Sequence, residues 1–216
     1  MKLLAFNGSP RKKWNTAMLL EKALDGARSK GAETEMIHLY DLDFKGCISC
    51  FACKIIGGKS YGKCAVKDDL RPVLEKAESA DALLVGSPVY FGSATGEARS
   101  FMERLLFPYL VYSAPPKSLF PRKIATGFIY TMNAPAERVK DSGGQQMALN
   151  EFAFKMVFGG SCVSLVSTET YQFDDYSKVV SDLFDVEARR KRRSDVFPVD
   201  CQKAFDLGAG LVTPAE

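Results

Sequence analysis

Four of the chain's six cysteines, Cys47, Cys50, Cys53 and Cys64, fall within one short stretch. Cys-x2-Cys-x2-Cys over Cys47, Cys50 and Cys53 is a compact run of three thiols. As thiolates they suit three corners of a [4Fe-4S] cluster. Gly57, Gly58 and Gly62 let the chain fold Cys64 back as the fourth ligand. Structural zinc more often pairs two separate Cys-x2-4-Cys knuckles, and Cys64 has no second cysteine beside it. Small thiols packing a loop are a third explanation. Spacing leaves cluster, zinc and plain thiols open.

A second constellation follows the apolar run of residues 2–6. Asn7-Gly8-Ser9-Pro10-Arg11-Lys12-Lys13-Trp14-Asn15-Thr16 is too polar to continue a strand, and Ala17, Leu20, Ala23, Leu24 and Ala27 then recur at helical spacing. The first N–H groups of a helix lack intrahelical partners, and its dipole favours negative charge there. Ser9, Asn15 and Thr16 add polar donors and Arg11 a fixed positive charge, so the loop is a cradle for a terminal phosphate. It is neither a P-loop nor G-x-G-x-x-G. An ordinary loop capped by Asn15 or Thr16 is the plain alternative.

The third is Gly86-Ser87-Pro88-Val89-Tyr90-Phe91-Gly92-Ser93. Pro88 fixes the backbone, Tyr90 and Phe91 can face a planar ring, and Gly92 lets the main chain approach closely. Thr131, Met132 and Asn133 would border the same slot. The structural alternative for Tyr90-Phe91 is packing under a loop. Gly57-Gly58-Lys59-Ser60 imitates the end of a Walker A loop, but Cys53 stands where its first glycine is required. The only histidine, His38, excludes machinery needing two.

These loops need a scaffold. Apolar runs predict strands at 2–6, 33–39, 82–85, 124–130 and 161–166. Helices are expected from near Thr16, from Leu70 after an Asp68-Asp69 cap, over 96–106, over 145–158 and over 204–211, the last preceded by Pro198. Residues 107–121 read as irregular, with apolar groups suiting a partner subunit or the chain's own core. The basic run 189–193 reads as a solvated face. Strands alternating with helices imply an α/β flavodoxin-like three-layer sandwich, its five-stranded parallel sheet in the order 2-1-3-4-5. In that order, ligands bind where the strand order reverses, outside the carboxyl ends of strands one and three. The cradle and the aromatic slot converge there.

At 216 residues, 46% hydrophobic and 25% charged, the chain is expected to be one domain over 1–216, with a cysteine-bearing loop at 41–67 and a C-terminal extension at 169–216. A net charge of +3 is too small to argue for a nucleic-acid or membrane partner, and neither is expected. No signal peptide is visible, so a cytoplasmic location is expected.

Gly8-Ser9-Pro10-Arg11 with Asn15-Thr16, Gly86 to Ser93, and the cysteine loop ending Lys67-Asp68-Asp69-Leu70 together resemble the flavodoxin-like NAD(P)H-dependent FMN reductase and iron–sulfur flavoprotein families, over the chain from Met1 to about Val166. The resemblance implies non-covalent FMN, a nicotinamide donor, and a homodimer or homotetramer. It places the phosphate at Ser9, Arg11, Asn15 and Thr16 and the ring at Pro88, Val89, Tyr90, Phe91, Gly92 and Ser93. The expected activity is hydride transfer from NAD(P)H through FMN to a small flavin-like or quinone-like acceptor. The alternative is an iron–sulfur flavoprotein carrying electrons between redox proteins; a redox sensor without turnover is a third reading. The ten residues between Cys53 and Cys64 exceed the usual spacing of the iron–sulfur flavoproteins.

Overall fold

The computed structural model of the chain describes residues 1–139 and 144–213. Five parallel strands form the main sheet: β1 (Lys2–Asn7), β2 (Glu33–His38), β3 (Ala82–Tyr90), β4 (Ile124–Thr131) and β5 (Gly159–Ser167). Their order is β2-β1-β3-β4-β5, the expected flavodoxin-like 2-1-3-4-5. Strand periodicity divides β1 between two cores. Leu3 and Ala5 join one hydrophobic cluster, Leu4 and Phe6 the other.

The first cluster lies under α1 (Asn15–Ser29) and α6 (Phe197–Leu211), the second under α2 (Leu70–Ser79), α3 (Gly96–Leu106) and α4 (Gly144–Phe158). Central strands β1, β3 and β4 are apolar along most of their length because both faces are covered. The α1–α6 crossing is close because each helix offers the other a glycine. A Cβ on Gly26 would stand 1.9 Å from the Phe205 carbonyl oxygen, and one on Gly208 would stand 1.8 Å from that of Ala23.

Several expectations change. β3 does not stop at Val85: it runs to Tyr90 and turns at Phe91-Gly92 into Ser93–Ala94, which pairs back antiparallel. Phe91 and Gly92 both have positive φ, 51° and 80°, as the two central residues of a tight hairpin turn require. The expected irregular stretch 107–121 contains a small antiparallel pair, Leu110–Val111 with Lys117–Ser118. Its Tyr109 and Phe120 are buried in the chain's own core, edge to face with centroids 5.1 Å apart. Pro198 lies inside the first turn of α6, where its missing N–H costs nothing.

The basic run is not a solvated face. It lies in α5 (Val186–Asp195), where Arg189 is buried and Arg192 bonds the buried Asp200 at 2.6 Å. Arg193 bonds Asn15 Oδ1 at 2.8 Å and stacks on Phe197. Arg190 and Lys191 alone of the five face solvent. The expected extension's last residues, 214–216, lie outside the described residues. Among the described residues no helix is long and apolar enough to cross a membrane.

Candidate functional site

The loops after β1 and β3 are stitched together at the switch point. Gly8 N–H donates to the Gly86 carbonyl at 2.8 Å, and Thr95 Oγ1 donates to the Gly8 carbonyl at 2.7 Å. Thr95 is also the N-cap of α3, accepting from Ala98 N–H at 3.3 Å, while its own N–H donates to Ser87 Oγ at 3.0 Å. Gly8 must be glycine: a Cβ there would meet that of Ala98 at 2.8 Å. Asn7, fully buried, accepts from Ser9 N–H at 3.0 Å and meets His38 Nδ1 at 2.9 Å, so His38 is a strand-end residue paired across the sheet.

The first intrahelical bond of α1 runs from Met18 N–H to the Trp14 carbonyl at 2.8 Å. Asn15, Thr16 and Ala17 therefore point their N–H groups out of the helix end. Trp14 is the N-cap and makes no side-chain cap bond, so Asn15 and Thr16 do not cap the helix but lie inside it. Their side chains reach elsewhere. Thr16 and Thr131 hydroxyls meet at 2.8 Å, joining α1 to the end of β4. Asn15 Nδ2 donates to the Tyr171 carbonyl at 2.7 Å, and its Oδ1 accepts from Arg193.

Ser9, Arg11, Asn15, Thr16, Pro88 and Thr131 line a narrow cavity of about 90 Å³. Phe91 and Gly92 line a wider one of about 830 Å³. Val89, Tyr90, Met132 and Asn133 border both, so the two are one continuous crevice, polar at the α1 end and aromatic at the hairpin end. Ser93 stands apart: its hydroxyl accepts from Arg99 at 3.2 Å and it lines neither cavity. Arg11 reaches the crevice, but its guanidinium lies 3.9 Å over the Trp14 ring and donates to the Gln172 carbonyl. Gly92 serves the turn; within the chain an added Cβ would meet open space. Tyr40, held by Glu97 behind the hairpin, is pushed up to about 12 by burial and then by that carboxylate, so it remains a neutral phenol.

The sequence reading missed the extension's share of this crevice. Thr170 N–H donates to the Met132 carbonyl at 2.9 Å, laying the chain beside the end of β4. Trp14 Nε1 donates to the Tyr171 carbonyl at 3.1 Å. Arg189 Nε donates to Asn133 Oδ1 at 2.8 Å and Nη1 to Glu169 at 2.7 Å, fixing Asn133 from behind. The available signal was the spacing of Arg189, Arg192 and Arg193, which places them on one helix face.

The cysteine loop forms a second site on the far end of α3. Cys47, Cys50, Cys53 and Cys64 line one cavity of about 20 Å³ with Arg104, Phe107 and Pro108. Gly62 N–H donates to the Cys53 carbonyl at 3.0 Å, closing the long spacer and returning Cys64 to the other three. Cys47 and Cys50 are exposed and Cys53 is buried; burial pushes the Cys53 thiol up. Among the described residues no group of three or more His, Cys, Asp or Glu side chains is set to hold a metal ion. The donors are therefore right in kind and share one cavity, without standing in ligand geometry.

The family described as NADPH-dependent FMN reductase matches residues 1–161. A protein of Archaeoglobus fulgidus named iron–sulfur flavoprotein is 45% identical over 104 residues, 48% of each chain. One from Methanocaldococcus jannaschii, of the same name, is 39% identical over 104 residues, 48% of this chain and 51% of its own. The chain thus spans about half the length of the curated relatives it matches. The solved NAD(P)H:quinone oxidoreductase of Methanothermobacter marburgensis superposes with a TM-score of 0.70, covering 98% of both chains at 14% identity, a likeness of fold.

Proposed function

This chain belongs to the NADPH-dependent FMN reductase family, and from that premise we propose that it binds FMN in the β1–β3 crevice, takes hydride from NADH or NADPH, and reduces a small flavin-like or quinone-like acceptor. The observation that carries the proposal is the convergence of three loops on one crevice whose polar end faces the open N–H groups of α1. Bound there, FMN would supply the hydride and electron chemistry, so no protein nucleophile is needed. Ser9, Asn15, Thr16 and the α1 N–H groups hold the phosphate, with Arg11 adding charge at the rim. Tyr90, Phe91, Met132 and Asn133 bound the ring, with Pro88, Val89 and Thr131 between. The open hairpin side admits the nicotinamide and then the acceptor. The chain acts as one domain and as a homodimer or homotetramer.

The test compares FMN with riboflavin, which lacks the phosphate. Replacing Ser9 and Arg11 with alanine removes a charge-assisted contact worth about 1.5–3 kcal/mol, so FMN binding should fall about 10- to 100-fold while riboflavin binding changes little. Equal losses for both would remove the phosphate from this loop. Anaerobic mixing with NADH and then NADPH should bleach the bound flavin in at least one case.

A second reading is favoured by the cavity that four thiols share. Cys47, Cys50, Cys53 and Cys64 would hold a [4Fe-4S] cluster, and the protein would pass electrons to or from a redox partner. Anaerobic protein should then contain about four irons per chain, lost in Cys50→Ala while FMN stays bound. Iron-free protein after attempted reconstitution leaves the simple FMN reductase.

A further inference from the structure

We propose that Trp14 is a positioning residue for the phosphate end of the crevice: its ring face and its indole N–H together hold Arg11 with a fork of donors free, and so strengthen the site's preference for FMN over riboflavin. The proposal rests on the FMN reading above. It goes beyond that reading by giving roles to a side chain outside the phosphate contacts and to a stretch of backbone beyond the family match.

Arg11 is exposed, and a long exposed side chain has much rotamer freedom to lose on gripping a ligand. Two contacts within the chain restrict it. Its guanidinium carbon lies 3.9 Å from the centroid of the Trp14 ring, the geometry of a cation over an aromatic face. Its Nη1 donates to the Gln172 carbonyl at 2.5 Å. Among the described residues no hydrogen bond engages its Nε or Nη2. Those two nitrogens lie side by side in the guanidinium plane, the fork that meets two oxygens of one phosphate.

Trp14 also secures the second of these contacts. Its Nε1–H donates at 3.1 Å to the carbonyl of Tyr171, the residue before Gln172, and Asn15 Nδ2 donates to the same carbonyl at 2.7 Å. From the other side, Gln172 N–H donates to the Tyr176 hydroxyl at 2.9 Å. Tyr176 is buried among the rings of Tyr171, Phe173 and Phe184. Thr170 N–H is tied to the Met132 carbonyl. The backbone of residues 170–172 is thus a strap fastened along both edges, and the Gln172 carbonyl is a fixed acceptor. Trp14, Arg11 and Gln172 all line the narrow cavity. The face of the indole holds Arg11 directly, and its edge holds the strap that holds Arg11. A charge oriented in advance costs a phosphate ligand less ordering entropy, and a ligand without a phosphate gains nothing from it.

The experiment uses the full chain, freed of flavin and titrated separately with FMN and with riboflavin by flavin fluorescence. The proteins are wild type, Trp14→Ala, Trp14→Phe, Arg11→Ala and Trp14→Ala/Arg11→Ala. The quantity read is the ratio of the riboflavin Kd to the FMN Kd. Trp14→Ala should lower that ratio about 3- to 10-fold, with riboflavin binding little changed. Trp14→Phe keeps a ring under Arg11 without the N–H, and its ratio should fall between those of wild type and Trp14→Ala. In the Arg11→Ala background the Trp14 substitution should lower the ratio no further, because a residue that acts through Arg11 has nothing left to position. Equal losses for both flavins, or a further fall in the double variant, make Trp14 a structural support of the loop and overturn the proposal. Should Trp14→Ala not fold, Trp14→Phe with and without Arg11→Ala decides by the same comparison. A wild type that binds no FMN overturns the FMN reading and this proposal with it. A wild type that prefers FMN, with a ratio unmoved by Trp14→Ala, overturns this proposal alone.

Discussion

The α1–α6 crossing makes a sharp demand on Gly208. An alanine Cβ there would stand 1.8 Å from the Ala23 carbonyl oxygen, 2.4 Å from its carbon and 2.7 Å from its Cα. All three atoms are backbone, so no rotamer change relieves the clash. Ordinary contact begins near 3.4 Å, so the helices must part locally by roughly 1.6 Å, the difference between 3.4 and 1.8 Å. Overpacking of this kind costs up to about 3 kcal/mol. Alanine returns about 1 kcal/mol of helix propensity, which leaves a net loss of about 2 kcal/mol. In a chain of this size that lowers Tm by about 4–8 °C. Gly210 supplies the control: it is exposed on the same helix and an added Cβ would meet nothing within 4 Å. Gly210→Ala should therefore gain about 0.5–1 kcal/mol. Thermal unfolding by circular dichroism reads both signs. Because α1 carries Asn15 and Thr16, Gly208→Ala should also weaken FMN binding, measured by quenching of flavin fluorescence. Equal stability of Gly208→Ala and wild type, or the same sign for both substitutions, would refute the reasoning.

Three further outcomes follow from named contacts. Tyr109 is pushed up to about 12 from the ordinary value of 10, by burial and then by Glu78. Below pH 10 both folded and unfolded chains keep the proton; between 10 and 12 only the folded chain does, so stability falls by about 1.4 kcal/mol per pH unit there, and Tyr109→Phe should flatten that part of a pH–stability curve. Arg192→Met leaves the buried Asp200 with the Ser167 hydroxyl as its side-chain partner among the described residues and should cost about 3–5 kcal/mol by urea titration, much of it recovered in Arg192→Met/Asp200→Ala. Phe91 is fully exposed at φ 51°, a conformation that suits asparagine better, so Phe91→Asn should hold stability or raise it by up to about 1 kcal/mol while slowing flavin reduction by NAD(P)H in stopped flow.

The sheet was legible because buried parallel strands are written as unbroken apolar runs. Ala82 to Val85 and Ile124 to Tyr130 have no polar face to confuse the pattern. Helix α3 was expected over about 96–106 and runs over that span, with Thr95 capping it in the structure. The hairpin at Phe91-Gly92 was not legible, because its return strand is two residues long and carries no period of its own. The arginines of α5 were misread for a different reason. A run of like charges looks solvated in one dimension, while the groups that answer it are far along the chain. Asn133 for Arg189 and Asn15 for Arg193 lie 56 and 178 residues away.

Those distant partners change what the extension does. The family match ends at residue 161, yet Tyr171, Gln172, Arg189 and Arg193 all bond residues that form the crevice. Asn15 has both ends of its amide engaged from beyond the match, which sets its orientation at the mouth of α1. The cysteine site is positioned by another element, α3, and here the same helix serves both places. Its first turn is held by Thr95 to Gly8 and Ser87 in the crevice, and its last turn holds Cys47 through Glu103 and Cys64 through Arg104. Eleven helical residues span about 16 Å. A packed helix, with Phe101 and Leu105 in the core, does not bend over that length. The two sites are therefore held at one separation by a single rigid element, and a side chain that loosens either end of α3 acts on the geometry of both.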